Sequence, residues 1–324
     1  MKKAPATEVA KRHAQRQYNS GSSYAERITS LVDALHSAGI EPLNTNHVIS
    51  RLADGQLVRF KTATKHRKNN GWIVVHFNRG LPAVAVAGDW KTGAELKWIA
   101  SNGDTLTEDE RRQLKRQIEE AQRRRHEEQQ RKHEATAIRA ETMWLKAGPA
   151  PAEHPYLVRK GITPHNARLL GNKLMLSLID FTGRVWSLQL IDTDGDKRLL
   201  SGGKKAGHFI VAGGTDYPKR VLICEGWATG RTLAEKMPNC LVLAAIDAGN
   251  LAAVAKATRQ AWPTLEVVIC GDDDRQTKGN PGKTAARAAA DAANCRFALP
   301  KFPHDAPQHL SDFNDLASWQ RGTI

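Results

Sequence analysis

Apolar positions along this chain change period several times, and each change predicts a different element. Between Tyr24 and Ala38 they recur at helical spacing, with Ile28, Leu31, Val32 and Leu35 on one face and Gly39 as the stop. From Val58 to Ile99 the runs shorten into strands at 58–60, 72–77 and 83–87, separated by turn residues at 69–71 and 79–82. A helix is predicted over 107–146, opened by the capping box of Thr107 and Glu110. Its i,i+4 pairs Glu119–Arg123, Glu120–Arg124 and Glu128–Lys132 have the favoured orientation, and residues 113–134 are almost wholly polar. That stretch reads either as a solvated helical linker or as a basic strut along nucleic acid. Pro149 and Pro151 then break the chain. Strands follow at 174–179, 185–191 and 209–211. From Lys219 onward the pattern is strand 221–225, helix 228–236, strand 241–246, helix 250–260, strand 266–271, helix 283–293 and strand 295–299. Such alternation predicts a parallel sheet flanked by helices.

The expected organisation is therefore α/β in four parts. A helix and a small β-rich module fill 1–105, with residues 1–20 as a loose basic arm. A charged helix covers 106–150, a mixed α/β subdomain 151–218, and a parallel-sheet domain 219–324. With 324 residues the chain can bury a real core. The first residues lack the apolar stretch of a signal peptide, and no run is long enough to span a bilayer, so a cytoplasmic protein with no membrane partner is expected. Four widely spaced cysteines, two of them inside strands, read as small buried hydrophobes.

Charge adds a partner. The net charge is +14, with 26 Lys/Arg against 17 Asp/Glu in residues 1–150 and 22 against 17 in residues 151–324. A basic protein with an acidic centre suits nucleic acid. In the β-rich module Trp72 and Trp90 stand among Arg59, Lys61, Lys65, Arg67 and Lys68, a composition that can stack bases and follow a phosphate backbone. The competing reading places most of the module's tryptophans in its core. Its histidines, His66 and His76, have no cysteine partners, so no zinc is expected.

The chemistry concentrates at strand ends. Glu225 follows one apolar strand, and Asp272, Asp273 and Asp274 follow another. Asp312 and Asp315 form a late Asp-x-x-Asp. Carboxylates at the C-terminal ends of parallel strands lie where open α/β sheets bind ligands, and several together call for a cation. Hard oxygen donors suit Mg²⁺ or Mn²⁺. Alternation places Asp272 and Asp274 on one side and turns Asp273 away. Gly282, Lys283 and Thr284 suggest a phosphate-binding loop, but the required earlier glycine is replaced by Thr277. Lys283 can still meet phosphate at a helix N-terminus.

Glu-Gly, Asp-x-Asp and Asp-x-x-Asp in this order resemble the Toprim domain. Ala248, Gly249 and Asn250, and the run 311–316, are similar to the primases of plasmids and phages. So are the segment 183–205 and residues 70–93. The resemblance implies a DNA primase that makes short RNA primers on single-stranded DNA from NTPs by two-metal nucleotidyl transfer. It implies Glu225, Asp272 and Asp274 as catalytic carboxylates, with Asp312 or Asp315 completing the metal set. Lys197, Arg198, Lys204, Lys205 and Arg275 would meet nucleotide or phosphate. No helicase motor is recognisable, so any replicative helicase is a separate partner. A Toprim nuclease and a non-catalytic single-strand-binding protein are the alternatives. The primase-like segment 183–205 speaks against the first, and the intact acidic residues against the second.

Overall fold

The computed structural model describes residues 24–63, 69–77, 83–100, 108–215 and 217–323. The expected arm over 1–20, the turn over 79–82, the cap Thr107, and Lys65, Arg67 and Lys68 lie outside the described residues. The chain divides into two compact units, Met1–Arg123 and Arg124–Ile324.

The first unit begins with helix α1 (Tyr24–Ser37), closed by Gly39 at φ 72°, and a short α2 (Thr45–Ile49). Strands β1 (Leu57–Phe60), β2 (Gly71–His76), β3 (Val84–Asp89) and β4 (Ala94–Ile99) make an antiparallel meander in chain order. Alternation turns Val58, Phe60, Ile73, Val75, Ala85, Ala87 and Trp98 inward against Leu31, Leu35, Ile40 and Val48. The opposite sheet face exposes Leu57, Val86 and Ile99.

Helix α3 (Glu108–Lys146) spans the division. Its later turns depart from a solvated linker. Ala137 and Ala140 are buried, and Ala140 packs with Met175 and Leu188, flanked by Met143 and Trp144. His133 Nδ1 and Arg139 reach the Gly202 and Ser201 carbonyls, and Glu134 pairs with Arg184. Small alanines, not a wide apolar stripe, let the helix lie close to the sheet beneath it.

That sheet contains β5 (Gly148–Pro149), β6 (Arg168–Leu170), β7 (Lys173–Ile179), β8 (Val185–Ile191) and β9 (Lys197–Leu199), all antiparallel. Helix α4 (Pro155–Lys160) precedes β6 and ends at Gly161, φ 59°. The remaining elements are β10 (Ile210–Gly213), β11 (Arg220–Cys224), α5 (Trp227–Lys236), β12 (Cys240–Ala244), α6 (Leu251–Ala261), β13 (Glu266–Cys270), α7 (Pro281–Ala292), β14 (Arg296–Ala298) and α8 (Phe313–Gln320). The strands order as β10-β12-β11-β13-β14, parallel except for β10. Strand β10 lies ahead of the expected boundary at 218, yet it pairs with β12 and closes the edge of this sheet.

Two cores sandwich the parallel sheet. On one face α5, through Trp227, Ala228 and Leu233, shares a core with Tyr156, Leu157, Leu174 and Leu176. On the other, Leu251, Val254 and Ala255 of α6 meet Ala286, Ala289 and Ala290 of α7 over Val221, Ile223, Val267 and Ile269. Cys224, Cys240 and Cys270 are buried free thiols. Among the described residues no helix is long and apolar enough to cross a membrane. Because β12 and β13 flank β11 on opposite sides, the strand order reverses at β11. The carboxyl end of that strand is the sheet's switch point.

Candidate active site

Strands β11 and β13 are in register, Cys224 against Cys270, so Glu225 and the Gly271–Asp274 segment leave the sheet at the same edge. Two glycines bring α7 against that segment. A Cβ on Gly271 would stand 2.3 Å from Ala286 Cβ, and one on Gly282 would stand 2.7 Å from the Asp272 carbonyl oxygen. The first N–H groups of α7 are spoken for: Gly282 N donates to Asp274 Oδ2 at 2.8 Å and Lys283 N to Asn280 Oδ1 at 3.2 Å. This closes the phosphate-loop reading, because the anion held at this helix start is the protein's own Asp274. The Lys283 residue itself is exposed.

Around this edge the carboxylates crowd one another. Asp272 Oδ1 is buried without a hydrogen-bond partner. Burial first, then Asp312, Glu225, Asp274 and Asp315, push the Asp272 pKa up to about 8. Glu225 is raised by burial and by Asp247 and Asp274, against the opposing effects of the Ala248 N–H and Lys197. Asp312 is raised by burial and by Asp315. Asp312 and Asp315 also have a structural task, as the two halves of the capping box of α8: Asp315 N donates to Asp312 Oδ1 at 2.8 Å, and Asp312 N to Asp315 Oδ2 at 3.5 Å.

Two lysines answer this charge. Lys160 Nζ lies 3.7 Å from Asp315 Oδ1. Lys197 Nζ comes within 3.8 Å of where a Cβ on Gly226 would stand, so it reaches the start of α5 beside Glu225. Although Lys197 as a residue is exposed on β9, its ammonium is desolvated and repelled by Lys160, which lowers its pKa. Asp312, Glu225 and Asp272 pull the other way.

The donor set consists of hard carboxylate oxygens, and an orphaned Asp272 Oδ1 with a raised pKa is what a missing divalent cation would leave behind. Glu225, Asp272 and Asp274 therefore fit such an ion. As placed, no three His, Cys, Asp or Glu among the described residues converge to ligating distance.

The other expected site residues divide. Lys205 Nζ is 2.7 Å from Asp247 Oδ2, which ties it to the acidic edge. Lys204 Nζ sits 4.5 Å over the Trp186 ring, with the Arg184 guanidinium 4.2 Å from the same ring. Arg198 is exposed on β9. Arg275 is held by the loop before α8. Its guanidinium lies 4.3 Å over Phe302 and donates to the carbonyls of Pro307 and Leu310, so it braces the loop before α8. In the first unit Trp98 is in the core, but Trp90 is 54% exposed, stacked on Trp72 at 6.0 Å and covered by Arg59 at 4.8 Å. Lys61 is exposed.

Lys160, Asp247 and Asn280 were not foreseen. Asp247 follows β12 much as Glu225 follows β11, so the strand-end rule could have found it. Lys160, at the end of a short helix, carries no such signal. Asn250 explains its own motif: buried, it donates to the His208 and Ala245 carbonyls and accepts from Gly207 N, which fastens the loop before β10 to α6.

Residues 220–322 match the model of the Toprim domain. The chain is 36% identical over 262 residues to a DNA primase TraC of Escherichia coli, covering 78% of this chain and 24% of the relative. A second Escherichia coli DNA primase TraC is 33% identical over 298 residues, 86% of this chain and 20% of the relative. The chain thus spans less than a quarter of the length of these curated relatives. Among solved structures, the primase fragment of the bacteriophage T7 primase-helicase protein overlays 53% of this chain and 70% of its own. The identity is 16% and the TM-score 0.39, too loose to position residues.

Proposed function

With residues 220–322 as a Toprim domain, we propose that this chain is a DNA primase that joins ribonucleotides on single-stranded DNA at the edge formed by Glu225, Asp272 and Asp274. The observation that carries the reading is the unpartnered, buried Asp272 Oδ1 within a ring of mutually repelling carboxylates. The resemblance of the chain to two DNA primases supports the choice of reaction. Bound Mg²⁺ or Mn²⁺ would supply Lewis acidity toward the attacking 3′-hydroxyl and charge neutralisation for the pyrophosphate leaving group.

The chain's own residues do the rest. Glu225, Asp272 and Asp274 hold the cation, and Asp312 and Asp315 add negative charge while fixing α8 over the site. Lys197, beside Glu225 at the start of α5, would meet the triphosphate. Lys204, Lys205 and Arg198 would add further positive charge for nucleotide or phosphate. In the first unit, Trp90 and Trp72 offer rings for template bases, with Arg59 and Lys61 for the backbone. A separate replicative helicase would open the duplex, in the cytoplasm, during replication of plasmid or phage DNA.

The test is incubation of the full chain with single-stranded DNA, labelled NTPs and Mg²⁺ or Mn²⁺. Labelled oligoribonucleotides that disappear in Asp274→Asn are expected. DNA cleavage without synthesis would mean that the same carboxylates activate water, as in a nuclease. Binding with neither activity would reduce the chain to a single-strand-binding protein.

A further inference from the structure

We infer that Asn280 is a positioning residue that, together with Asp273, sets the carboxylates of Asp272 and Asp274 for the divalent cation. This rests on the metal site proposed above. Asn280 stands at φ 42°, in the left-handed region, as the N-cap of α7. A cap needs one bond, the one from Lys283 N to Asn280 Oδ1 at 3.2 Å. Asn280 makes two more, both into the aspartate segment. Asp274 N donates to Asn280 Oδ1 at 3.0 Å, and Asn280 Nδ2 donates to Asp273 Oδ1 at 2.6 Å.

Asp273 is held from its other side as well. Its N–H donates to the Ser311 carbonyl at 2.7 Å, one residue before the α8 cap Asp312. The aspartate that alternation turns away from the metal is thereby a tether, fastened to α7 by its side chain and to the approach of α8 by its backbone. The backbone that carries Asp272 and Asp274 is held from both sides by that anchor. Asp274 is fixed further, since Oδ2 accepts from Gly282 N at 2.8 Å and leaves Oδ1 for a ligand. The amide of Asn280 is required for its mixed character: an acceptor toward two N–H groups and a donor toward a carboxylate.

This separates a latch from a cap. Aspartate caps helices as well as asparagine does, so Asn280→Asp would be harmless if capping were its whole task. As a latch it must fail, because a carboxylate at 280 faces the carboxylate of Asp273. Combining Asp273→Asn with Asn280→Asp rebuilds the bond with donor and acceptor exchanged. The readouts are Mn²⁺ affinity of the full chain, from the electron paramagnetic resonance of free Mn²⁺, and the half-saturating Mg²⁺ for nucleotide incorporation. Thermal melting confirms folding.

Asn280→Asp is expected to weaken Mn²⁺ binding by about tenfold, the loss of one charge-assisted hydrogen bond and its replacement by repulsion. It should raise half-saturating Mg²⁺ in parallel, with turnover at saturating metal within about twofold of wild type. The double variant should return most of the affinity. Unchanged Mn²⁺ binding in Asn280→Asp, or no recovery in the double variant, overturns the latch while leaving the metal site standing. Failure of the wild-type chain to bind Mn²⁺ overturns the metal site itself, and the latch with it.

Discussion

Replacing Asp272 by asparagine is expected to make the metal-free protein more stable while abolishing synthesis. The isosteric amide keeps the shape of the loop and removes a charge that the fold does not welcome. In the folded chain the Asp272 pKa stands at about 8, against an ordinary value of 3.8. Since the folded value is the higher one, the native state holds a proton that the unfolded state has already released. The contribution of Asp272 to stability is therefore full below about pH 4 and falls as pH rises toward 8. At roughly 1.4 kcal/mol per pH unit the ceiling of this penalty is about 6 kcal/mol. Proton sharing with Asp312 and Glu225 and small movements of the carboxylates take up part of it, which leaves about 2–4 kcal/mol in favour of the amide above pH 8. Urea denaturation in EDTA, from pH 4 to pH 8.5, should show the two proteins level in acid and diverging as pH rises. Added Mg²⁺ should narrow or reverse the gap, since binding to the native state stabilises only the protein that retains its ligand. A variant less stable than wild type at pH 8, or a gap that does not change with pH, would refute the claim that this carboxylate is held at a cost for a cation.

Arg275→Ala should lose the Phe302 contact and the bonds to Pro307 and Leu310, lowering stability by about 2–3 kcal/mol in chemical denaturation. The NTP KM should barely change, whereas a phosphate-binding arginine would raise it. Trp90→Ala should leave folding within about 1 kcal/mol of wild type yet weaken single-stranded oligonucleotide binding by about tenfold in fluorescence anisotropy. Trp98→Ala, at a buried ring, should instead cost about 3–5 kcal/mol of stability. Ala140→Glu should destabilise the second unit by more than about 3 kcal/mol, because it buries a charge against Met175 and Leu188. Ile138→Glu, at a position 63% exposed on the same helix, should be nearly silent in the same melt.

Much of the second unit was legible from apolar runs. The runs ending at Cys224 and Cys270 are strands because they are continuous, short and β-branched, and the acidic residues beyond them lie at the switch point for that reason. What escaped was direction and long-range closure. The strand at 210–213 has the same local pattern whichever sheet it joins, so its antiparallel pairing with β12 had no local sign. Helix α3 is polar in composition to its last turns, and burial there depends on Thr136, Ala137 and Ala140, which carry little hydrophobic signal. Arginine type alone gave no sign that Arg275 folds back on Phe302. Trp90 and Trp98 share a module, but strand register buries one, while the turn after β3 leaves the other outside. Period-two alternation turned Asp273 away from the metal side. Its bond to Asn280, seven residues on, closes a loop whose path no periodicity describes.

The measurement closest to the central claim is formation of the first phosphodiester bond. Two labelled ribonucleoside triphosphates on a single-stranded DNA template, with Mg²⁺ or Mn²⁺, should yield a dinucleotide carrying a 5′-triphosphate. Glu225→Gln, folded by thermal melting, should reduce that product by at least about a hundredfold, since it removes a carboxylate from the end of β11 where the cation is proposed to bind. A dinucleotide made equally well by Glu225→Gln would contradict the account, and so would a folded, template-bound wild-type chain that makes none.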